Sequence, residues 1–522
     1  MGGDPGRAGP GLDVAMTEAV PRTRRARFRA VARAVRSGLA AVGAGAVLAV
    51  AFPEVDWGWA AWVGLVPALL VLRRASTAGE AAARGWLVGV GFLTAVQYWL
   101  VPALGVFFPL ATALLALLWA PWGVLVRWLL APPLSPGRAG TAIGGVAAGW
   151  VLIEAARSWP VLGGPWAALG TSQWRYPPLL GLAAVGGMWL VGFAVVAVNT
   201  AVVVLLTGAG PRARAVGLVA ALLLLGAGPA WHASQPDSRP VAVRVALVQP
   251  GPVVDRAERL AVGERMTRAL AAQEPDLVVW GESSVGYDLD RHPDVLARLV
   301  ETARAVRADL LVNVDAERVT GRIAKVSVLV GPGGIEGEYV KTRLVPFGEY
   351  VPLRDQLGWL SRVTRAADQD RQRGSGPRAL RAGHLTVAPL TCFESTFPDL
   401  ARAAARNQAQ LIAYQSSTWM FQHTWGPEQQ AALGAVRAVE TGRPAVQAAL
   451  TGVSAAFDAH GRRLAWLGTE HRGVLVVDVP LERRDTVYVR LGDLVPLLAL
   501  LALVVIGTAR FRGRRAVSGS RG

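Results

Sequence analysis

LTVAPLTCFES, residues 385–395, reads as an apolar β-strand that runs straight into Cys392, the only cysteine in the 522-residue chain. Two other stretches are built the same way. DLVVWGESS (276–284) carries Glu282 just past an apolar run, and EYVKTRLVPFGEY (338–350) carries Lys341 at the end of one. Three strand ends therefore offer a thiol, a carboxylate and an ammonium. Acyl transfer through a thioester needs a nucleophilic sulfur, a base to take its proton and a cation to hold the oxyanion.

Working outward, residues 235–490 read as one α/β domain. Strand-like runs are VAVRVALV (241–248), DLVVW (276–280), DLLVNV (309–314), KVSVLV (325–330), LTVAPLTCF (385–393), LIAYQ (411–415), AVQAAL (445–450), VSAAFD (453–458) and GVLVVDV (473–479). Helical periodicity marks 255–272, 292–307 and 426–440. Strands apolar on both faces, alternating with helices, imply sheets covered on each side. The polar, Gly/Pro-containing stretch 363–383 reads as a mobile loop.

Each candidate side chain has a plain structural reading beside the chemical one. A lone cysteine is often just a small buried side chain. Placed on a turn after a strand, Cys392 would instead meet backbone N–H groups suited to an oxyanion. Glu282, close to Trp280, is the candidate base for the thiol and later for an incoming amine. Lys341 is the candidate cation that favours thiolate and holds a tetrahedral oxyanion. Glu349 and Glu394 are available to orient that lysine or as structural ion pairs. Trp419, with Met420 and Phe421, forms an apolar triplet suited to a water-excluding mouth or to plain core.

The rest of the chain is membrane-like. Hydrophobic residues make up 52% and charged residues 17%, with a mean hydropathy of +0.35. Eight spans are expected, at 38–53, 58–72, 86–105, 108–126, 140–156, 180–206, 215–231 and 493–509. Residues 1–36 and 511–522 read as basic cytoplasmic tails, the first disordered; 37–234 as the membrane domain; and 491–510 as a closing helix. Arg73, Arg74 and Arg84, then Arg127 and Arg138, then Arg212 and Arg214, then Arg510, Arg512, Arg514 and Arg515 occupy every second loop. With the N-terminus inside, all fall on the cytoplasmic face and 235–490 falls outside. The net charge of +17 follows from that pattern, and no nucleic-acid-binding motif accompanies it. One cysteine rules out an internal disulfide framework. The six histidines lack metal-ligand spacing, so no metal or other cofactor is expected.

In their order and flanks the three motifs resemble the carbon–nitrogen hydrolase (nitrilase) superfamily. That resemblance implies an αββα sandwich with a Glu-Lys-Cys triad. KTRLVPFGEYVPLR (341–354) and TCFES (391–395) are similar to the lysine and cysteine motifs of apolipoprotein N-acyltransferases. GPEQQAALGAVRAVETGRPAVQAALTGVSAAFDAHG (426–461) resembles their segment after the nucleophile, with Arg437, Glu440, Arg443, Gly452, Ser454 and Gly461 on its pattern. In the membrane part, AFPEVDWGWAAWVGLVPALL and WVLIEAARS agree as well. The resemblance implies Cys392 as nucleophile, Glu282 as base, Lys341 as oxyanion stabiliser and Glu349 as supporting carboxylate. Glu394 matches an acidic position of the family. There are departures. Ser416-Ser417-Thr418-Trp419 stands where the family often has Asn-Asp-x-Trp, Gln430 where it often has His, and Phe393 where Tyr is common. These are expected at the rim of the site, where Trp419, Trp280 and Tyr350 are the candidate substrate-binding side chains.

The activity implied is transfer of a fatty acyl group from a membrane phospholipid, through a Cys thioester, to the α-amino group of a diacylglyceryl-modified N-terminal cysteine on an apolipoprotein. The bilayer and the two lipid substrates are then the partners, and a monomer is implied. Two alternatives stand beside it. One is a membrane-tethered nitrilase-type amidase; the other is a non-enzymatic scaffold for a polyprenol-phosphate glycosyltransferase.

Overall fold

The computed structural model describes residues 19–235, 240–317, 321–363 and 368–519. Among the described residues of the second half, twelve strands form two six-stranded sheets. The first holds β1 (Ala242–Gln249), β2 (Leu277–Trp280), β3 (Asp309–Glu317), β4 (Ile323–Gly331) and β5 (Gly334–Val340). The second holds β6 (Leu380–Ala382), β7 (Leu385–Thr391), β8 (Leu411–Ser416), β9 (Ala445–Ala449), β10 (Ser454–Phe457) and β11 (Arg463–Leu467). The last strand, β12 (Gly473–Pro480), returns to the first sheet, so the orders are β12-β1-β2-β3-β4-β5 and β11-β10-β9-β8-β7-β6. The centre of each sheet is parallel: β1-β2-β3 in one, β7-β8-β9 in the other.

Alternation along the strands assigns the layers. Val243, Val245 and Leu247 of β1 join Leu277 and Val279 of β2 in the core between the sheets, against Val387, Leu411, Ala413 and Val446. The intervening Ala246, Val248, Val278 and Trp280 face outward onto Leu260, Leu299 and Ala303 of the helices Arg256–Arg268 and Pro293–Val306. The second sheet is covered by Pro398–Arg406 and Gly426–Thr441 through Leu400, Ala401, Ala431, Ala435 and Val439. The result is the expected αββα sandwich. β6, β11 and the helix Pro398–Arg406 were not foreseen, being short or polar along their exposed positions, and β5 was foreseen only at its end, where Tyr339 and Val340 precede Lys341.

Among the described residues, five helices, all in the first half, are long and apolar enough to cross a membrane. They are Val31–Ala51, Tyr98–Leu129, Pro136–Arg157, Ala183–Thr207 and Pro211–Ala233; Gly58–Arg73 and Leu494–Arg510 are shorter apolar helices. Several boundaries differ from expectation. Residues 19–36, expected to be disordered, continue the first helix, which runs Ala19–Ala46. Their Ala- and Arg-rich composition favours helix. Residues 1–18 lie outside the described residues. The span expected at 86–105 is a helix over Ala78–Val96, entered through Thr77, whose hydroxyl accepts the Glu80 N–H at 3.1 Å. The span expected at 108–126 divides into Phe108–Ala116 and Trp119–Leu129. Ala183–Thr207 breaks at Gly187, where φ is +67°.

The basic loops share one end of this bundle. Arg73 Nε donates to Leu130 O at 2.8 Å, Ala209 N to Leu134 O at 3.2 Å, and the Arg510 guanidinium lies over the Trp128 ring. The sandwich packs on the other end. Gln429 Nε2 donates to Pro53 O and Val96 O, both at 3.1 Å, and Trp189 Nε1 donates to Asp493 Oδ1 at 2.7 Å. Met188 and Trp189 share a single apolar cluster with Ala431, Ala435 and Tyr488.

Candidate active site

Three elements that are remote in sequence end at one place. β2 runs through Gly281 to Glu282, whose N–H donates to Ser416 O at 3.1 Å. Only glycine fits at 281, because a Cβ there would sit 2.0 Å from Leu450 N. β5 leads into Lys341, whose N–H donates to Lys325 O at 2.9 Å. β7 ends at Thr391, and Cys392 takes a left-handed turn with φ +50°. A non-glycine residue there costs about 1–3 kcal/mol, which the surrounding bonds must outweigh.

The charges converge on Lys341, which is 1% exposed. Its Nζ lies 3.2 Å from Glu282 Oε1 and 2.8 Å from Glu349 Oε1. Glu349 Oε2 accepts the Val345 N–H at 2.9 Å, which fixes the carboxylate. Burial works against the Lys341 ammonium, but Glu282 and Glu349 outweigh it and hold its pKa well above the usual lysine range. Burial likewise opposes the Glu349 charge, yet Lys341 holds that carboxyl below its ordinary value. The Cys392 thiol is pushed up to about 11 by burial and then by the Glu282 carboxylate, with Lys341 opposing. A thiol raised in this way favours its neutral form, and to serve as a nucleophile it would have to give up its proton to a base.

Glu394 joins the cysteine turn to the lysine turn. Its Oε1 accepts from Tyr339 Oη at 2.7 Å, Thr342 N at 2.8 Å and Arg343 N at 2.9 Å. Its Oε2 accepts from Thr391 N at 2.7 Å. Of the two readings left open from sequence, the geometry gives Glu394 neither a cation partner nor contact with the lysine amine; it organises backbone. Glu349, in contrast, bonds the amine directly.

The membrane part reaches this turn. Phe393 packs on Phe397 at 4.9 Å between ring centroids and on Trp166 at 6.5 Å. Trp166 O is held in turn by Arg157 Nη2 at 2.5 Å. Phe421 meets Trp99 edge-on at 5.2 Å, while the neighbouring Trp419 is 65% exposed.

Two expected substrate contacts lie elsewhere. Trp280 is buried under the helix Arg256–Arg268, with Nε1 donating to Thr267 Oγ1 at 3.0 Å, so it is core on the face turned from the second sheet. Tyr350 lines a cavity of about 450 Å³ with Leu344, Arg371 and Arg373, whose lining includes none of Glu282, Lys341 and Cys392. Of the stretch 363–383 expected to be mobile, residues 364–367 lie outside the described residues, and Asp370, Arg371, Gln372 and Arg373 line that cavity. Arg371 N donates to Glu349 O at 2.8 Å and Gly374 N to Lys341 O at 2.9 Å. Gln430, expected at the rim, is 2% exposed and donates through Nε2 to Cys392 Sγ at 3.4 Å. Among the described residues no group of three or more His, Cys, Asp or Glu side chains is arranged to hold a metal.

A sandwich that brings Glu, Lys and Cys together at its strand ends has the architecture of a carbon–nitrogen hydrolase, and the carbon-nitrogen hydrolase family profile matches residues 244–488. The profile of the apolipoprotein N-acyltransferase N-terminal domain matches residues 44–201. An apolipoprotein N-acyltransferase of Pseudomonas paraeruginosa is 32% identical over 460 residues, covering 84% of this chain and 88% of the relative. One from Azotobacter vinelandii is 33% identical over 511 residues, covering 91% and 95%. One from Geobacter metallireducens is 28% identical, covering 93% and 97%. The chain belongs to the apolipoprotein N-acyltransferase family.

Proposed function

We propose that the protein N-acylates lipoproteins in two half-reactions at Cys392. As Sγ attacks an ester carbonyl of a phospholipid, Glu282 takes the thiol proton and the oxyanion forms beside Lys341. The intermediate collapses, the C–O bond breaks, and Glu282 returns its proton to the departing lysophospholipid alkoxide. A thioester remains. The α-amino group of a diacylglyceryl N-terminal cysteine then attacks, its proton passes to Glu282, and the C–S bond breaks. The thiolate leaves and recovers that proton, so the enzyme is regenerated.

The observation that carries this reading is the contact of Phe393, next to the nucleophile, with Trp166 of the membrane part. It sets the reacting sulfur at the junction of sandwich and bundle, where a lipid ester and a lipidated amine both arrive. A small soluble amide needs no such junction, and a scaffold needs no intact triad. The exposed Trp419 beside Phe421 is the proposed side chain for the acyl chains to slide past. The basic loops gather at the bundle end away from the sandwich, which supports a multi-pass protein of the bacterial cell membrane with an extracytoplasmic sandwich. A monomer suffices, since all triad members come from one chain.

The test is a diacylglyceryl-cysteinyl peptide incubated with phospholipid and the purified protein. The peptide gains one amide-linked acyl chain with wild type and none with Cys392→Ala. Release of free fatty acid without peptide acylation, or equal acylation by Cys392→Ala, contradicts the reading.

A further inference from the structure

We propose that the Gln430 side-chain amide is a fourth catalytic group, a neutral hydrogen-bond donor to the sulfur of Cys392, and that Ser416 is the positioning residue that aims it. This rests on Cys392 being the nucleophile.

An amide offers an oxygen at one end and N–H groups at the other. Ser416 Oγ donates to Gln430 Oε1 at 2.6 Å, which leaves the Nε2 hydrogens turned to Sγ at 3.4 Å. Ser416 is itself held at the centre of the site, because its carbonyl accepts from Glu282 N at 3.1 Å and Leu450 N at 2.9 Å. The same residue therefore sets both the base and the amide.

The helix that carries Gln430, Gly426–Thr441, is fixed near both ends to the membrane part. Gln429 bonds Trp99 Nε1, Pro53 O and Val96 O, all at 3.1 Å. Glu440 Oε1 accepts the Met188 N–H at 2.7 Å, a donor freed by the helix break at Gly187. The amide is thus presented from a rigid element, as a charge-stabilising donor must be.

The donor meets a specific need. Sulfur carries negative charge twice, during attack and when it leaves the acyl carbon. Lys341 is already shared between two carboxylates, and the Glu282 carboxylate repels a thiolate. A neutral donor strengthens when its acceptor is ionised and weakens once the thioester forms. No proton leaves the amide, so it remains a donor whether the sulfur is protonated or not.

The test needs no lipid substrate. Cys392 is the only thiol, so its alkylation by iodoacetamide reports on that sulfur alone. In the full-length protein at pH 8, Gln430→Leu is expected to slow alkylation roughly tenfold, since a hydrogen bond to a charged group shifts the thiolate population by about that factor. Ser416→Ala, which removes only the aiming hydroxyl, slows it by a smaller factor, and Gln430→His, which returns an N–H, restores it. If Gln430→Leu does not fold, Ser416→Ala decides. Rates within about twofold of wild type in both variants overturn the proposal, because thiolate attack tracks the thiolate fraction. Slowed alkylation together with no peptide acylation by wild type leaves the Gln430 assignment standing and refutes the acyl-transfer reading instead.

Discussion

Glu394 Oε1 lies 2.8 Å from the backbone nitrogen of Thr342, so the residue two places past Cys392 holds the turn that begins at Lys341. With Tyr339, Arg343 and Thr391 it receives four hydrogen bonds in all. A carboxylate can accept all four, whereas an amide must turn an NH2 group toward donors.

Glu394→Gln, with its NH2 turned to the Thr391 N–H, is therefore expected to lower stability by about 1.5–3 kcal/mol, the order of one disrupted buried bond to a charged acceptor. It also displaces Lys341, so acyl transfer falls with it. Thermal melting and peptide acylation on the same preparation check this. A wild-type melting temperature combined with full activity would refute the role.

Glu349 contributes through its charge. Its carboxyl is held below its ordinary value by Lys341 when folded, so the stabilisation it adds is complete above the unfolded carboxylate range. That stabilisation is lost as pH falls through the lower folded value. Melting temperature should fall more steeply below about pH 4.5 in wild type than in Glu349→Gln. The variant should also lose roughly 10–100-fold in kcat, because the ammonium loses its shorter carboxylate bond and its aim. Parallel melting curves, or an unchanged kcat, would contradict the assignment.

The thiol itself titrates high. Burial and Glu282 push it up to about 11, so little thiolate exists at neutral pH. Iodoacetamide alkylation of wild type should still be rising past about pH 9, beyond the ordinary cysteine range. A plateau near pH 7 would mean a preformed thiolate and would remove the need for Glu282 to take the proton during attack.

Gly281→Ala places a Cβ 2.0 Å from Leu450 N, so the backbone between β2 and Glu282 must move. Activity should drop by at least roughly tenfold with Cys392 still present and alkylatable, since a misplacement near 1 Å costs on the order of a hundredfold. Unchanged peptide acylation would show that the base tolerates displacement.

The convergence of Glu282, Lys341 and Cys392 was legible because each follows an apolar run, and runs of that kind meet at their ends in a layered α/β domain. Trp280 was misread for a related reason. Alternation in Leu277–Trp280 separates two faces but does not say which one meets the second sheet, and Trp280 belongs to the helix-covered face. The place of Gln430 beside Cys392 has no sequence signal, because it lies on a helix distant in sequence and no local pattern reports a side chain that crosses to a strand end. The breaks in the membrane helices had a partial signal in Gly186 and Gly187, but the length of each helix depended on which loops its ends could bond.

The most direct measurement is the intact mass of the purified protein in phospholipid, wild type against Cys392→Ala. The account predicts a fatty-acyl increment on wild type, none on the variant, and its loss when a diacylglyceryl-cysteinyl peptide is added. An increment that persists in Cys392→Ala, or a phospholipid-saturated wild type with a free, alkylatable thiol and no increment, would contradict transfer through this cysteine.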